Sequence, residues 1–110
     1  MPPPMQRVSV YEEHTRQVAY KWPQGGPTVQ ARRRSLTTFR ATGGFVTHER
    51  GQDPEVDLTF YKVKKGGGLY SQPTRLYYRW ENLSPEDMTA IEETLAAVLK
   101  AYSSEFPTEP

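Results

Sequence analysis

The stretch VDLTFYKVKKGGGLYSQPTRLYYRWENLSPEDMTAIEETLAAVLKAYS, residues 56–103, decides the fold. It reads as a strand over Val56 to Lys64, a break at Gly66-Gly67-Gly68, a second strand over Thr74 to Trp80 and one long helix. Met88, Ile91, Leu95, Val98, Leu99 and Tyr102 recur at three- and four-residue steps, so they share one helical face. That apolar face must pack on something, either the sheet or a copy of itself. Ser84 can cap the first amides, Pro85 suits the first helical position, and Asp87 stands three residues after the cap, as in a capping box. Glu86 and Asp87 suit the positive end of the helix dipole and Lys100 the negative end.

The second strand alternates with period two. Leu76, Tyr78 and Trp80 point to one side, with Phe60 of the neighbouring strand, to form core; Arg75, Tyr77 and Arg79 point to the other. Outward from these, the sequence predicts further strands. Arg7 to Tyr11 and Gln17 to Trp22 alternate and form an opening hairpin around Glu12 to Thr15. Pro23 to Thr28 interrupts regular structure. Ser35 to Thr42 and Phe45 to Arg50 follow, joined by Gly43-Gly44, a two-residue hairpin signal, and Gly51 to Glu55 makes the next turn. The expectation is an α+β fold: a curved antiparallel sheet of four to six strands, then one long amphipathic helix packed on one face.

The chain of 110 residues has room for one modest core that buries ~60–70% of the unfolded surface. We expect a single unit over residues 7–103, with its core in 35–103, a flexible tail at 1–6 and a disordered acidic tail at 104–110. Cysteine is absent, which removes disulfides and thiolate metal sites. No apolar run reaches ~18 residues, so no membrane segment is expected and the protein reads as intracellular, cytoplasmic or associated with the nucleoid.

The formal charge is only +1, yet residues 1–80 carry +7 and residues 81–110 carry −6. Basic strands and an acidic helix point to a sheet face that meets an anionic polymer and a helical side that repels it. Phosphates need cations several ångströms apart, and unpaired bases need flat rings to stack on. Same-face residues of a strand, repeating every ~7 Å, supply both. The candidate nucleic-acid-binding residues are Arg32, Arg33, Arg34, Arg40, Tyr61, Lys62, Lys64, Lys65, Arg75, Tyr77 and Arg79. Duplex DNA fits less well, because its bases are covered and the helix is not basic.

An enzyme would have to start from His14, beside Glu12 and Glu13, or His48, beside Glu49. Neighbours on a strand face opposite ways, so His48 and Glu49 do not cooperate, and His14 falls in a turn. The glycine run lacks the following helix and lysine of a phosphate loop. The reading is therefore non-enzymatic, with no cofactor and no metal.

The order of elements from Ser35 to Ser103, with a glycine-containing basic loop and then Leu83-Ser84-Pro85-Glu86 entering an amphipathic helix, resembles the PC4-like and Whirly/Pur-type single-stranded nucleic-acid-binding proteins. That resemblance covers about two-thirds of the chain as a pattern of elements. It implies a dimer with helices packed together and sheets that grip single strands, the basic loop corresponding to Lys62, Lys64 and Lys65 and the sheet cations and ring to Arg75, Tyr77 and Arg79. The expected function is sequence-tolerant binding of single-stranded DNA or RNA by a homodimer joined through the helix face. The alternative is a small protein-interaction module or inhibitor, of phage or accessory origin, that binds another protein through its acidic helix or exposed aromatics.

Overall fold

The computed structural model describes residues 4–32, 36–74 and 83–107. Through the middle of its sheet runs one strand of 14 residues, β4 (Leu36–Glu49). Before it come β1 (Gln6–Tyr11), β2 (Thr15–Lys21) and β3 (Thr28–Arg32); after it come β5 (Glu55–Val63), β6 (Leu69–Thr74) and the helix α1 (Pro85–Glu105). The sheet order is β1-β2-β4-β5-β6, with β3 also paired to β4 and every pairing antiparallel. The α+β architecture expected from the sequence is the one observed.

The expected hairpin at Gly43-Gly44 is not there. Turns of the type that join two strands by two residues need positive φ, and the glycines with positive φ are Gly25, Gly51 and Gly67. Gly43 and Gly44 lie inside β4, at Lys21 and Tyr20 of β2 on one side and Thr59 and Leu58 of β5 on the other, beside a register shift. What they supply is close approach. A Cβ on Gly43 would sit 2.4 Å from the Tyr20 carbonyl oxygen, and one on Gly44 2.8 Å from that of Asp57. The bend lies instead in the partner of β4. Thr28 to Arg32, not foreseen as a strand, continues the pairing that β2 begins, and residues 22–27 arch between the two. Backbone bonds from Trp22 to Thr42, Gly26 to Ala41 and Ala41 to Pro27 hold that arch on β4.

The helix begins where the sequence placed it. Ser84 caps it, its Oγ accepting from the Asp87 amide at 3.1 Å, with Pro85 in the first turn. The Asp87 carboxylate also accepts from the Gln30 amide at 3.2 Å, which seats the helix start on the outer edge of β3. Val98 then passes over Gly44, and Tyr102 reaches His48, so α1 follows β4 in the same direction. Ile91, Thr94, Val98 and Tyr102 are the buried positions, with Met88 and Leu95 half-buried. They pack with Val18, Tyr20, Trp22, Val29, Val46 and Phe60 in one core.

Several expectations change at the ends and flanks. Leu99, assigned to the apolar face, lies at the surface, because the packed stripe runs 91, 94, 98, 102 and leaves position 99 a step of about 100° to one side. Helix α1 continues through Ser104 and Glu105, where a disordered tail was expected, so Lys100 falls before the last turn and no basic residue occupies that turn. Phe106 then packs against the core, its ring centroid 5.3 Å from that of Tyr102. At the other end Met5 also packs on the core and Gln6 pairs with Lys21, within the stretch expected to be a tail. The final strand is Leu69–Thr74, so it begins five residues before the expected start at Thr74; residues 75–80 lie outside the described residues.

Gly43→Ala should therefore cost about 2 kcal/mol or more in chemical denaturation, because the carbonyl it would strike belongs to the backbone. Gly66→Ala, which meets nothing within 4 Å, should change stability by less than about 0.5 kcal/mol. Equal effects from the two would contradict the strand-through reading.

Candidate nucleic-acid interface

Of the basic and aromatic residues singled out, Arg33, Arg34, Arg75, Tyr77 and Arg79 lie outside the described residues, as do Leu76, Tyr78 and Trp80. Arg32 closes β3, its backbone paired with Leu36. Arg40 is committed to the fold: its Nη1 donates to the Gly26 carbonyl at 2.8 Å, and its side chain covers Gly25. It braces the arch between β2 and β3. Tyr61 is half-buried, opposite Arg40 and Pro73.

Lys62, Lys64 and Lys65 are exposed, and the fold brings two of them to one ring. Lys62 in β5 and Lys64 just past its end are two residues apart and project to the same side. Val63 pairs with Leu69, which puts Tyr70 beside them. The Lys62 ammonium lies 5.4 Å and the Lys64 ammonium 5.6 Å from the centroid of the Tyr70 ring, which is 46% exposed. Both distances are within the range of attraction to the ring face. Tyr70 was not among the residues expected from the sequence. The signal was present, since it is the first aromatic after the glycine run, but a strand expected to start at Thr74 leaves Tyr70 off it.

The sheet face away from α1 carries a shallow groove of about 470 Å³, bordered by Val8, Ala19, Lys21, Phe45, Thr59 and Tyr61 among others. Asp57 is opposite Phe45 in the ladder and exposed, so positive charge is not continuous on this face. Of the candidate cations, Lys62, Lys64 and Lys65 gather instead at the β5–β6 end.

At the opposite end, both histidines reach one cleft of about 620 Å³ between the β1–β2 turn and the β4–β5 turn, together with Glu12, Glu13, Arg16, Glu49 and Asp53. The sequence had treated His14 and His48 apart. His48 Nδ1 is hydrogen-bonded to the Tyr102 hydroxyl at 2.5 Å, the two rings edge to face. Arg16 stacks its guanidinium 4.6 Å over Phe106, and its Nε lies 3.1 Å from the Glu12 carboxylate. Arg7 pairs with Glu105 at 3.0 Å. These contacts tie the last turn of α1 to the first hairpin, which gives His48 a structural task. Among the described residues no group of three or more histidine and carboxylate side chains is placed to hold a metal, and no helix is long and apolar enough to cross a membrane.

Tyr20 is buried beside this cluster, its hydroxyl without a hydrogen-bond partner among the described residues. Burial, with Glu105 nearby, pushes its pKa from 10.0 up to about 12, against a smaller opposing pull from Arg7.

Comparison of the chain with protein-family models, with curated proteins and with solved structures found no match.

The Tyr20 environment has a measurable consequence. A folded-state pKa raised above the unfolded value means that the folded protein keeps a proton the unfolded chain releases, so the contribution is whole below pH 10 and is lost as pH rises toward about 12. Denaturation at pH 9 to 11.5 should show this loss, and Tyr20→Phe should reduce it while leaving stability at pH 7 nearly unchanged. An identical alkaline profile for the variant would contradict the assignment.

Proposed function

We propose that this protein is a non-enzymatic, sequence-tolerant binder of single-stranded DNA or RNA, acting inside the cell. The observation that supports this reading best is the exposed Tyr70 ring with the Lys62 and Lys64 ammonium groups on it. An unpaired base can stack on the ring, and the phosphates on either side of that base meet a lysine each. Lys65, on the adjoining turn, adds a further cation. Glu86, Glu92 and Glu93 are exposed on the helix and repel a polyanion there, which leaves the β5–β6 end as the place where Lys62, Lys64 and Lys65 can receive it. A ring and flexible ammonium groups select for unpaired bases and backbone charge and impose little sequence preference, which is why tolerance is part of the proposal.

The apolar side of α1 is occupied by its own sheet, so this reading does not depend on helices packed against one another. A second reading, an interaction module for a basic protein partner, draws on the same exposed glutamates.

Fluorescence anisotropy with single-stranded and duplex oligonucleotides at two salt concentrations separates the readings. Single strands should bind more tightly than duplex, with affinity falling steeply as salt rises. Lys62→Glu with Lys64→Glu should lower affinity at least about tenfold and flatten the salt dependence. Tyr70→Ala should cost about 1–3 kcal/mol with the salt slope unchanged. No measurable affinity for any oligonucleotide at low salt would overturn the proposal and leave the protein-partner reading.

A further inference from the structure

The sheet has three outer edges among the described residues, and they are treated differently. The outer edge of β3 is covered, since Leu83 bridges to Ala31 and the Asp87 carboxylate takes the Gln30 amide. β6 carries Pro73, which has no amide to offer, and is flanked by the Lys62 and Lys64 side chains. Proline and lysine are the usual devices that stop one sheet edge from pairing with another. β1 has neither. Its sequence is Gln6-Arg7-Val8-Ser9-Val10-Tyr11, and among the described residues it pairs with β2 on one side only. It also bears the two most exposed large apolar side chains of the described residues, Val8 at 60% and Tyr11 at 57%.

We propose that β1 is the interface through which two copies of this chain join, edge to edge and antiparallel, into one continuous sheet. The charge pattern selects a second copy as the occupant. Arg7 stands near the start of the strand and Glu12 and Glu13 just beyond its end. An antiparallel copy therefore brings each arginine toward the partner's carboxylates at both ends of the ladder, whereas a parallel copy would stack like charges. Arg7 and Glu12 keep side-chain exposures of 49% and 58% despite their internal partners Glu105 and Arg16, so both remain able to reach across. The register shift between Arg7 and Ser9 makes Val8 the extra residue of a bulge. The regular part of the edge is thus Ser9 to Tyr11, and the ladder centres there, with Val8 and Tyr11 as the apolar contacts. This surface replaces the helix face as the site of dimerisation, since Ile91, Val98 and Tyr102 are already buried within the chain.

The dimer does not depend on nucleic-acid binding, but it has a consequence for it. β6 lies at the edge opposite β1, so joining two β1 strands sends the two Lys62–Tyr70–Lys64 clusters to the outer ends of the joint sheet. With strands spaced by ~4.8 Å, the clusters would stand up to roughly 45 Å apart.

Light scattering or sedimentation over a range of concentrations tests the proposal without any oligonucleotide. The full chain should reach twice its monomer mass of 12.6 kDa. Val8→Lys with Tyr11→Lys, both at exposed positions, should return it to the monomer mass with an unchanged circular dichroism spectrum. Because the natural chain has no cysteine, Ser9→Cys and Leu99→Cys each provide a single thiol. A short bismaleimide should link Ser9→Cys chains in high yield and Leu99→Cys chains poorly, which tests the interface even if the lysine variant fails to fold. A monomer at every concentration, a dimer that survives the lysine substitutions in folded protein, or efficient linkage through Leu99→Cys instead of Ser9→Cys would each overturn the proposal.

Discussion

Two strands and one helix converge on Gly43 and Gly44, and there is no room there for a side chain. The Tyr20 carbonyl of β2 crowds one glycine, the Asp57 carbonyl of β5 crowds the other, and Val98 of α1 closes over the second. That close approach lets β4 run unbroken beneath the helix with partners on both sides. Everything else is hung on it. The arch at residues 22–27 exists because the partner strand must bend where β4 does not, and Arg40 and Trp22 are spent in holding that arch in place. The direction of α1 along β4 then delivers Tyr102 to His48 and Phe106 to Arg16, which fixes the first hairpin against the end of the helix.

The parts of this fold that depend on near neighbours could be read from the sequence. The start of α1 is one case: the Ser84 cap and Pro85 act within a single turn and stand as read, whereas the Asp87 carboxylate, expected to complete a capping box, accepts from the Gln30 amide of β3 instead. The alternation of β2, with Val18 and Tyr20 buried on one side, is another. What depends on distant partners was not legible. Gly-Gly between two alternating runs is a turn signal by local chemistry, but here the absent Cβ matters because of strands separated from it by more than a dozen residues. Periodicity placed Leu99 on the apolar face and passed over Thr94, since a repeat of three and four defines a broad stripe and only the sheet beneath selects its centre.

The candidate site divides along the same line. Lys62, Lys64 and Lys65 were found as a basic run because charge density is a property of the sequence itself. Tyr70 was missed because its value arises from the Val63–Leu69 register, which sets the ring between two lysines. Arg40 was enrolled as a phosphate ligand, but its guanidinium is held by a backbone carbonyl that only the fold brings near. The two histidines, 34 positions apart, share a cleft for the same reason. Charge is thus arranged by ends: the Lys62, Lys64 and Lys65 ammonium groups at the β5–β6 tip, paired arginines and carboxylates where the helix finishes.

Backbone amide hydrogen exchange across residues 38–48, followed residue by residue in the native protein, tests the central claim most directly. If β4 is one strand flanked by β2 and β3 on one side and β5 on the other, the bonded amides on both sides of Gly43-Gly44 should exchange together, at the rate set by global unfolding. Fast exchange at residues 43 and 44, with independent rates for the segments before and after them, would mean that the chain turns at the glycines, and the account would be wrong.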